Sequence, residues 1–128
     1  MIKNLDDYTA TEVLQEMARQ VKEVNVTNGW FDDSRTFGED IALLHSEVSE
    51  MLEAYREWGD ADMTQGPAVE YSNGYIMPKP EGIGSEAADI LIRLLDTCDR
   101  YDINLYGEFA RKLAYNRTRG YKHGGKKL

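Results

Sequence analysis

The chain is poor in the residues that build disulfides and membrane spans. It has one cysteine, Cys98, so no disulfide can form within one chain. Cys98 continues the apolar run that starts at Ile90, where we expect it to be a small buried side chain. No uninterrupted apolar stretch approaches the roughly 18 residues that a bilayer-spanning helix needs. Nothing near Met1 resembles a signal peptide, so we expect a cytoplasmic protein without a membrane partner.

Basic residues are also in deficit. The sequence has 15 Lys and Arg against 23 Asp and Glu, a net charge of -8. This balance argues against a partner that is a nucleic acid polymer, because proteins that neutralise phosphates usually carry a basic excess. The acidic body nevertheless ends in a basic stretch, which could face anionic substrate oxygens. Its members are Arg111, Lys112, Arg117, Arg119, Lys122, Lys126 and Lys127.

Four amphipathic segments predict helices within a single domain spanning residues 1–128. Capping signals and glycines set the expected ends. The first predicted helix begins near Thr9, which opens a capping box with Glu12, and ends before Asn28. The second runs from Phe37–Asp40 to Gly59, and the third from Ser85, as N-cap, to about Arg100. The fourth begins after Asp102 or Asn104 and ends at Gly120. Four helices without a convincing sheet predict an all-α protein of the four-helix bundle type.

The stretch from Gly59 to Gly84 has a different character. Its glycines and prolines exclude a continuous helix, so a long irregular loop is expected between helices 2 and 3. A short hairpin around Asn73-Gly74 is one arrangement for this loop, although the alternation of its flanking residues is weak. Residues 120–128 are expected to form a flexible basic tail.

Two acidic pairs carry the chemistry of the chain. Glu47 and Glu50 lie three residues apart in the second predicted helix, and Glu86 and Asp89 repeat that spacing in the third. Residues three apart share a helix face, and at about 100° per residue both pairs border an apolar stripe. Burying ionised carboxylates costs several kcal/mol each unless a cation or hydrogen bonds compensate. The two pairs therefore need a common explanation.

Two explanations compete, a solvated surface and a metal site. A single helical Glu most often belongs to a solvated face. Two equally spaced pairs beside apolar stripes, without matched basic partners, favour a hard cation. Oxygen ligands suit Mg²⁺ or Mn²⁺, whereas zinc would normally recruit Cys or His. A di-iron bundle would need Glu-x-x-His motifs, and neither His45 nor His123 lies in one.

The two pairs have a third motif downstream, Lys112-x-x-x-Asn116-x-x-Arg119. Together the three motifs resemble the all-α nucleoside triphosphate pyrophosphohydrolases of the MazG-like superfamily. That superfamily also contains dimeric dUTPases, dCTP pyrophosphatases and phosphoribosyl-ATP pyrophosphohydrolases. The resemblance extends from Trp30 to the tail, and it rests on the order of the motifs and their helical setting.

The resemblance implies the all-α NTP pyrophosphatase fold and Mg²⁺-dependent hydrolysis of a (d)NTP to the monophosphate and pyrophosphate, in nucleotide-pool house-cleaning or regulation. Carboxylate-bound Mg²⁺ neutralises the triphosphate and lowers the pKa of a bound water. Glu47, Glu50, Glu86 and Asp89 match the metal ligands of the family, and the catalytic assignment covers Glu47, Glu50 and Glu53. Glu53 continues the three-residue series and is expected to support the ligands or to help activate the water.

Substrate contacts are assigned to three residues of the fourth helix and to both tryptophans. Lys112, Asn116 and Arg119 align on one helix face, where they could bind phosphate oxygens or the sugar. The other interpretation is a solvated basic turn that complements the helix dipole. Trp30 and Trp58 flank the second helix, where each could stack on a nucleobase or serve in packing.

Two further side chains receive structural assignments. His45 lies across the helix from Glu50, and a structural or surface role is expected for it. Arg93 is expected to pair with Asp89 or Asp96 on its own helix, and a role near the phosphates is the other interpretation.

The resemblance implies a homodimer or homotetramer, because these short helices complete their bundle and site by pairing subunits. An alternative from another class is a non-catalytic regulatory module of the same fold that binds nucleotide or metal. A plain helical interaction protein with acidic surface strips is a third interpretation.

Overall fold

The computed structural model describes residues 9–31, 34–60, 62–63, 68–70, 74 and 76–121. Four helices dominate these residues, which makes the protein all-α as the sequence predicts. They are α1 (Ala10–Thr27), α2 (Phe37–Trp58), α3 (Ile83–Arg100) and α4 (Leu105–Thr118). None of the helices in the described part of the chain is long and apolar enough to cross a membrane. The predicted tail lies outside the described residues from position 122 onward.

Reciprocal caps start the first two helices. The Thr9 side chain accepts from the amide of Glu12 at the start of α1, and the Glu12 side chain accepts from the amide of Thr9. Thr36 and Glu39 form the same capping box at the start of α2. Each box satisfies amides that the first helical turn leaves without partners. The predicted starts of both helices are therefore confirmed.

Two short antiparallel strand pairs occupy the segment between α2 and α3. Strand β2 (Ala68–Glu70) pairs with β3 (Ile76–Pro78), in agreement with the hairpin that the sequence offered as one arrangement for this loop. Strand β1 (Asp62–Met63) pairs with β4 (Glu81–Gly82), and β4 also contacts α2 and α3. The loop predicted between helices 2 and 3 is thus partly organised by backbone pairing. These two-stranded pairs leave the fold class unchanged.

The start of α3 differs from the prediction. Its N-cap is Gly82, with a φ of 103° and no side-chain cap hydrogen bond, and Ser85 lies inside the first turn. The N-cap assignment of Ser85 is therefore wrong. Because Gly82 is also the last residue of β4, the chain passes directly from a strand into the helix. Glycine suits this junction because a side chain disfavours positive φ.

Helix α3 is the centre of the protein. It packs against α2 and α1, whereas α4 packs against α1. The buried apolar side chains of the described residues are Ala54 on α2 with Leu95 and Cys98 on α3, so Cys98 is buried as predicted. Asp40, Asp96 and Thr97 are buried with them. The contact between α2 and α3 therefore combines a small apolar core with buried charge.

The apolar face of α2 is wider than the surface that α3 covers. Val48, Leu52 and Tyr55 follow one another at helical spacing, and each is 51 to 52% exposed. We refer to these three residues as the α2 stripe. Further large apolar side chains are exposed on α4, among them Phe109 and Tyr115, both at 57%. The helices of one chain thus leave much apolar surface in contact with water.

Candidate metal centre and adjoining cavity

Three carboxylates from two helices meet between α2 and α3. Glu47 on α2 and Glu86 and Asp89 on α3 each offer an oxygen within 4.8 Å of the others. The three-residue spacing aligns Glu86 and Asp89 on one face of α3, and the packing of α2 on α3 brings Glu47 to them. We refer to these three residues as the acidic triad. Its geometry could hold a metal ion.

Glu50 stands at the edge of the triad. It is exposed, and it is close enough to Glu47 to share a hydrogen bond when it carries a proton. This hydrogen bond and the charge of Glu47 raise the pKa of Glu50, with smaller contributions from burial, Glu86 and Asp89. All four carboxylates predicted as metal ligands are therefore neighbours, with Glu50 on the solvent side.

The electrostatics of the triad show repulsion that protein cations only partly compensate. Burial, followed by the charges of Asp89 and Glu47, raises the pKa of Glu86. Burial and the charge of Glu47 likewise raise the pKa of Asp89, while Arg93 and Lys79 act in the opposite direction. Carboxylates that repel one another in a partly desolvated place gain stability from a bound cation.

One oxygen of the triad supports this interpretation directly. Glu86 Oε2 is buried and has no hydrogen-bond partner. A buried carboxylate oxygen without a donor loses its hydration without replacement. A divalent cation would supply the missing partner. The donor set is made of oxygen, which hard cations such as Mg²⁺, Mn²⁺ and Ca²⁺ prefer.

Arg93 forms a contact that the sequence did not predict. Its Nε donates to Glu47 Oε1 at 3.0 Å, across the interface from α3 to α2. The predicted pairing of Arg93 with Asp89 or Asp96 is replaced by this pairing between helices, although its charge still acts on Asp89. The Glu47 side chain is only 12% exposed, so the contact is largely shielded from water. Helix spacing reveals neighbours on one helix but not which residues of another helix lie opposite.

A cavity of about 250 Å³ opens beside the triad. Glu47, Glu50 and Asp89 form its acidic side, and Trp30 lies in its wall. The remaining lining residues are Asn25, Arg35, Ile92, Arg93 and Asp96. Carboxylates, two guanidinium groups and an exposed indole thus border one space. This combination suits a ligand that has an anionic part and a flat, unsaturated part.

A buried ionic network forms the far side of the cavity. Asp96 accepts from Arg100 Nε at 2.8 Å and from Asn25 Nδ2 at 3.3 Å, and Arg35 Nη2 lies 3.5 Å from it. Arg35 also lies 3.0 Å from Asp40, which accepts a hydrogen bond from Tyr101. The network links α1, α2 and α3 and orients Arg35 at the cavity. Sequence reasoning missed it because its members are far apart in the chain.

Glu53 and Trp58, which the sequence also predicted as site residues, are not joined to the triad. Glu53 and His45 are exposed on α2, and His45 therefore has the expected surface position. Trp58 is half-buried at the end of α2 and does not line the cavity. Within the described residues, no contact joins Glu53 or Trp58 to the triad.

The basic strip of α4 is not brought to the triad within one chain. Lys112 and Arg119 each lie 5.8 Å from the ring of Tyr115, and Asn116 is exposed between them. Among the described residues, the cations that act on Glu86 and Asp89 are Lys79 and Arg93. The predicted substrate contacts of Lys112, Asn116 and Arg119 therefore stay a prediction.

Comparisons with protein families, curated proteins and solved structures found no match to this chain. The arguments for its function therefore rest on the triad, the cavity and the sequence motifs.

Proposed function

We propose that the protein is a Mg²⁺-dependent nucleoside triphosphate pyrophosphohydrolase that converts a (d)NTP to the monophosphate and pyrophosphate. The observation that carries this proposal is the meeting of Glu47, Glu86 and Asp89, with Glu50 beside them, next to a cavity that Trp30 lines. The resemblance of the sequence motifs to the MazG-like superfamily points to the same reaction. Mn²⁺ is expected to substitute for Mg²⁺, because both accept oxygen ligands.

The residues divide into a phosphate side and a base side. The triad and Glu50 would hold Mg²⁺, which supplies charge neutralisation and an activated water when bound. Arg93 borders the cavity next to these carboxylates, where a guanidinium can bind phosphate oxygens. Trp30 offers the aromatic surface for a base. Glu53 follows Glu50 by almost one turn of α2, and we keep its proposed supporting role.

We further propose that the protein acts as a homo-oligomer, a dimer or a tetramer. The support is the exposed α2 stripe together with the small apolar core of the described residues. Burial of apolar surface is the main force that stabilises folds and assemblies, and this chain leaves much of it unused. A second copy is also the source from which the Lys112, Asn116 and Arg119 strip could reach a triad. The strip lacks that contact in the described part of one chain.

Incubation of the protein with each NTP and dNTP in the presence of Mg²⁺ tests the reaction. We expect a monophosphate and pyrophosphate in equal amounts from at least one nucleotide. The Glu86→Gln variant should be inactive, because it removes a ligand at the orphaned oxygen while keeping the side-chain volume. A folded protein without turnover across the whole set would overturn the enzyme proposal. Nucleotide binding by calorimetry without product would instead support the non-catalytic regulatory module.

A further inference from the structure

Arg93 is a cation that lies among the carboxylates of the proposed metal centre, although metal binding by these carboxylates does not need it. It contributes no ligand oxygen, yet its Nε lies 3.0 Å from Glu47 Oε1. Glu47 is the member of the triad that comes from α2, so a cation bound by all three carboxylates needs the same side chain that Arg93 pairs with. A guanidinium and a metal ion compete for the same negative charge.

The ion pair between Arg93 and Glu47 is partly buried. The Arg93 side chain is 27% exposed and the Glu47 side chain is 12% exposed. Arg93 also lines the cavity, so it has open space beside it into which the guanidinium can swing. Its four-bond side chain can make that movement without displacement of α3. The contact can therefore form and break while the two helices stay packed.

Lys79 is a second cation near the triad, and comparing it with Arg93 separates the effect of the contact with Glu47 from the effect of positive charge alone. It is the other cation that acts on Glu86 and Asp89, and it lowers the pKa of both. Its ammonium pairs with Glu81 at 3.7 Å rather than with a member of the triad, and its side chain is 68% exposed. Lys79 and Arg93 thus carry the same charge near the same carboxylates, but only Arg93 occupies a triad oxygen.

We propose that Arg93 is the resident counterion of the metal centre: its guanidinium neutralises Glu47 when no metal is bound, and a divalent cation displaces it into the cavity. Arg93 is in this sense a positioning residue. It keeps Glu47 facing α3 in the absence of metal, and it sets how tightly the triad binds a cation. The inference rests on the proposed metal centre but not on any catalytic activity.

Titration of the full chain with Mn²⁺ by calorimetry, without nucleotide, tests the inference. The Arg93→Gln variant should bind Mn²⁺ roughly three- to tenfold more tightly than the unmodified protein, because the competitor for Glu47 is gone. The Lys79→Gln variant loses the same charge and should change the Kd by less than twofold. Unchanged or weaker binding by Arg93→Gln would overturn the inference. Equal tightening by both variants would also overturn it, since the effect would then be a general charge effect.

A thermal readout separates displacement from a purely structural role. In the presence of a chelator, Arg93→Gln should melt below the unmodified protein, because Glu47 has lost its partner. At saturating Mn²⁺ this difference should disappear, since the ion pair is then broken in both proteins. A difference of equal size in both conditions would show that Arg93 only packs α3 against α2, and it would refute displacement.

Two further variants keep the outcome readable. Arg93→Lys preserves the charge but loses the planar fork, so it should bind Mn²⁺ with a Kd between those of the unmodified protein and Arg93→Gln. It serves as the main test if Arg93→Gln fails to fold, and binding weaker than that of the unmodified protein would then count against the inference.

The Glu86→Gln variant tests the metal centre itself. If the unmodified protein and Glu86→Gln bind Mn²⁺ equally or not at all, the metal centre fails, whereas loss of binding only in Glu86→Gln upholds it independently of Arg93.

Discussion

Asp89 and Asp96 lie two turns apart on α3 and have opposite electrostatic surroundings. Asp96 accepts a hydrogen bond from Arg100 at 2.8 Å and lies 3.5 Å from Arg35. Asp89 lies beside Glu86 and Glu47, and burial together with the charge of Glu47 raises its pKa. One carboxylate is a satisfied anion that holds three helices together. The other belongs to a group that repels itself, so the same Asp→Asn change should have opposite effects at the two positions.

Asp96→Asn should destabilise the protein by about 2 to 3 kcal/mol, because Arg100 loses its buried counterion and Arg35 keeps only Asp40. Urea denaturation in the presence of a chelator measures the change. The control is Glu108→Gln, which removes an exposed ion pair with Arg111 on α4 and should leave the unfolding midpoint unchanged. Equal midpoints for Asp96→Asn and the unmodified protein would contradict a stabilising role of the network.

In the presence of a chelator, Asp89→Asn should raise the melting temperature by roughly 1 to 3 °C, because it removes one of several carboxylates that repel one another. The same variant should lose most of the stabilisation that Mg²⁺ gives to the unmodified protein, since a ligand is missing. Differential scanning fluorimetry with and without Mg²⁺ measures both effects. A variant that is less stable in chelator would show that Asp89 is adequately compensated within the chain.

In the presence of a chelator, the stability of the metal-free protein should fall as the pH rises. The fall should begin near pH 4.5, the ordinary pKa of Glu. The pKa values of Glu50, Glu86 and Asp89 are raised, so the native state still holds protons that the unfolded chain has released. Native stability is then lost as those protons leave. Over the same interval the affinity for Mn²⁺ should increase, because the metal competes with protons.

Melting and Mn²⁺ titrations across this pH range measure both trends, and Asp89→Asn is the control for the first. Its stability relative to the unmodified protein should grow as the pH rises. Glu16 titrates below this range, because its hydrogen bonds with Arg19 and Gln20 lower its pKa to about 2. A stability difference independent of pH would contradict the raised pKa of Asp89.

Binding of a non-hydrolysable nucleoside triphosphate with Mg²⁺ should quench tryptophan fluorescence through Trp30. The chain has two tryptophans, and only Trp30 lines the cavity beside the triad. The Trp58→Phe variant should therefore keep most of the quenching, and Trp30→Phe should lose it. Quenching that survives in Trp30→Phe and vanishes in Trp58→Phe would place the base at the other end of α2.

Val48→Lys should weaken self-association, because it places a charge on the α2 stripe, at its N-terminal end. Sedimentation velocity should show a shift toward the monomer, accompanied by a lower melting temperature. Ser49→Lys is the matched control, since Ser49 is an exposed neighbour that lies off the stripe. If both variants sediment like the unmodified protein, the α2 stripe is not the surface between copies.

Local chemistry explains why much of the helical layout could be predicted. Thr9 and Thr36 start helices because each is followed three residues later by a Glu that completes the capping box. Gly59 ends α2 with a φ of 62°, which other residues adopt at a cost. The predicted start of α3 was wrong, because the observed start depends on the pairing of β4 with β1. That pairing is a contact between residues distant in sequence.

The candidate site divides in the same way. Spacing on each helix identified both acidic pairs, since a three-residue interval defines a shared face whatever the helix packs against. The partner of Arg93 and the network around Asp96 could not be predicted, because each depends on which faces of α1, α2 and α3 meet. The strip of Lys112, Asn116 and Arg119 is aligned on α4 by the same kind of spacing, but in the described part of the chain it is not joined to the triad.

The sequence by itself determined the four helices, the order of the motifs and the chemical type of the ligands, because these depend on residues within a few turns of one another. Only the tertiary structure decided that Glu47 meets Glu86 and Asp89, that Arg93 neutralises Glu47, and that Trp30 shares their cavity. Such contacts depend on the rotation and packing of whole helices, which a local pattern does not encode.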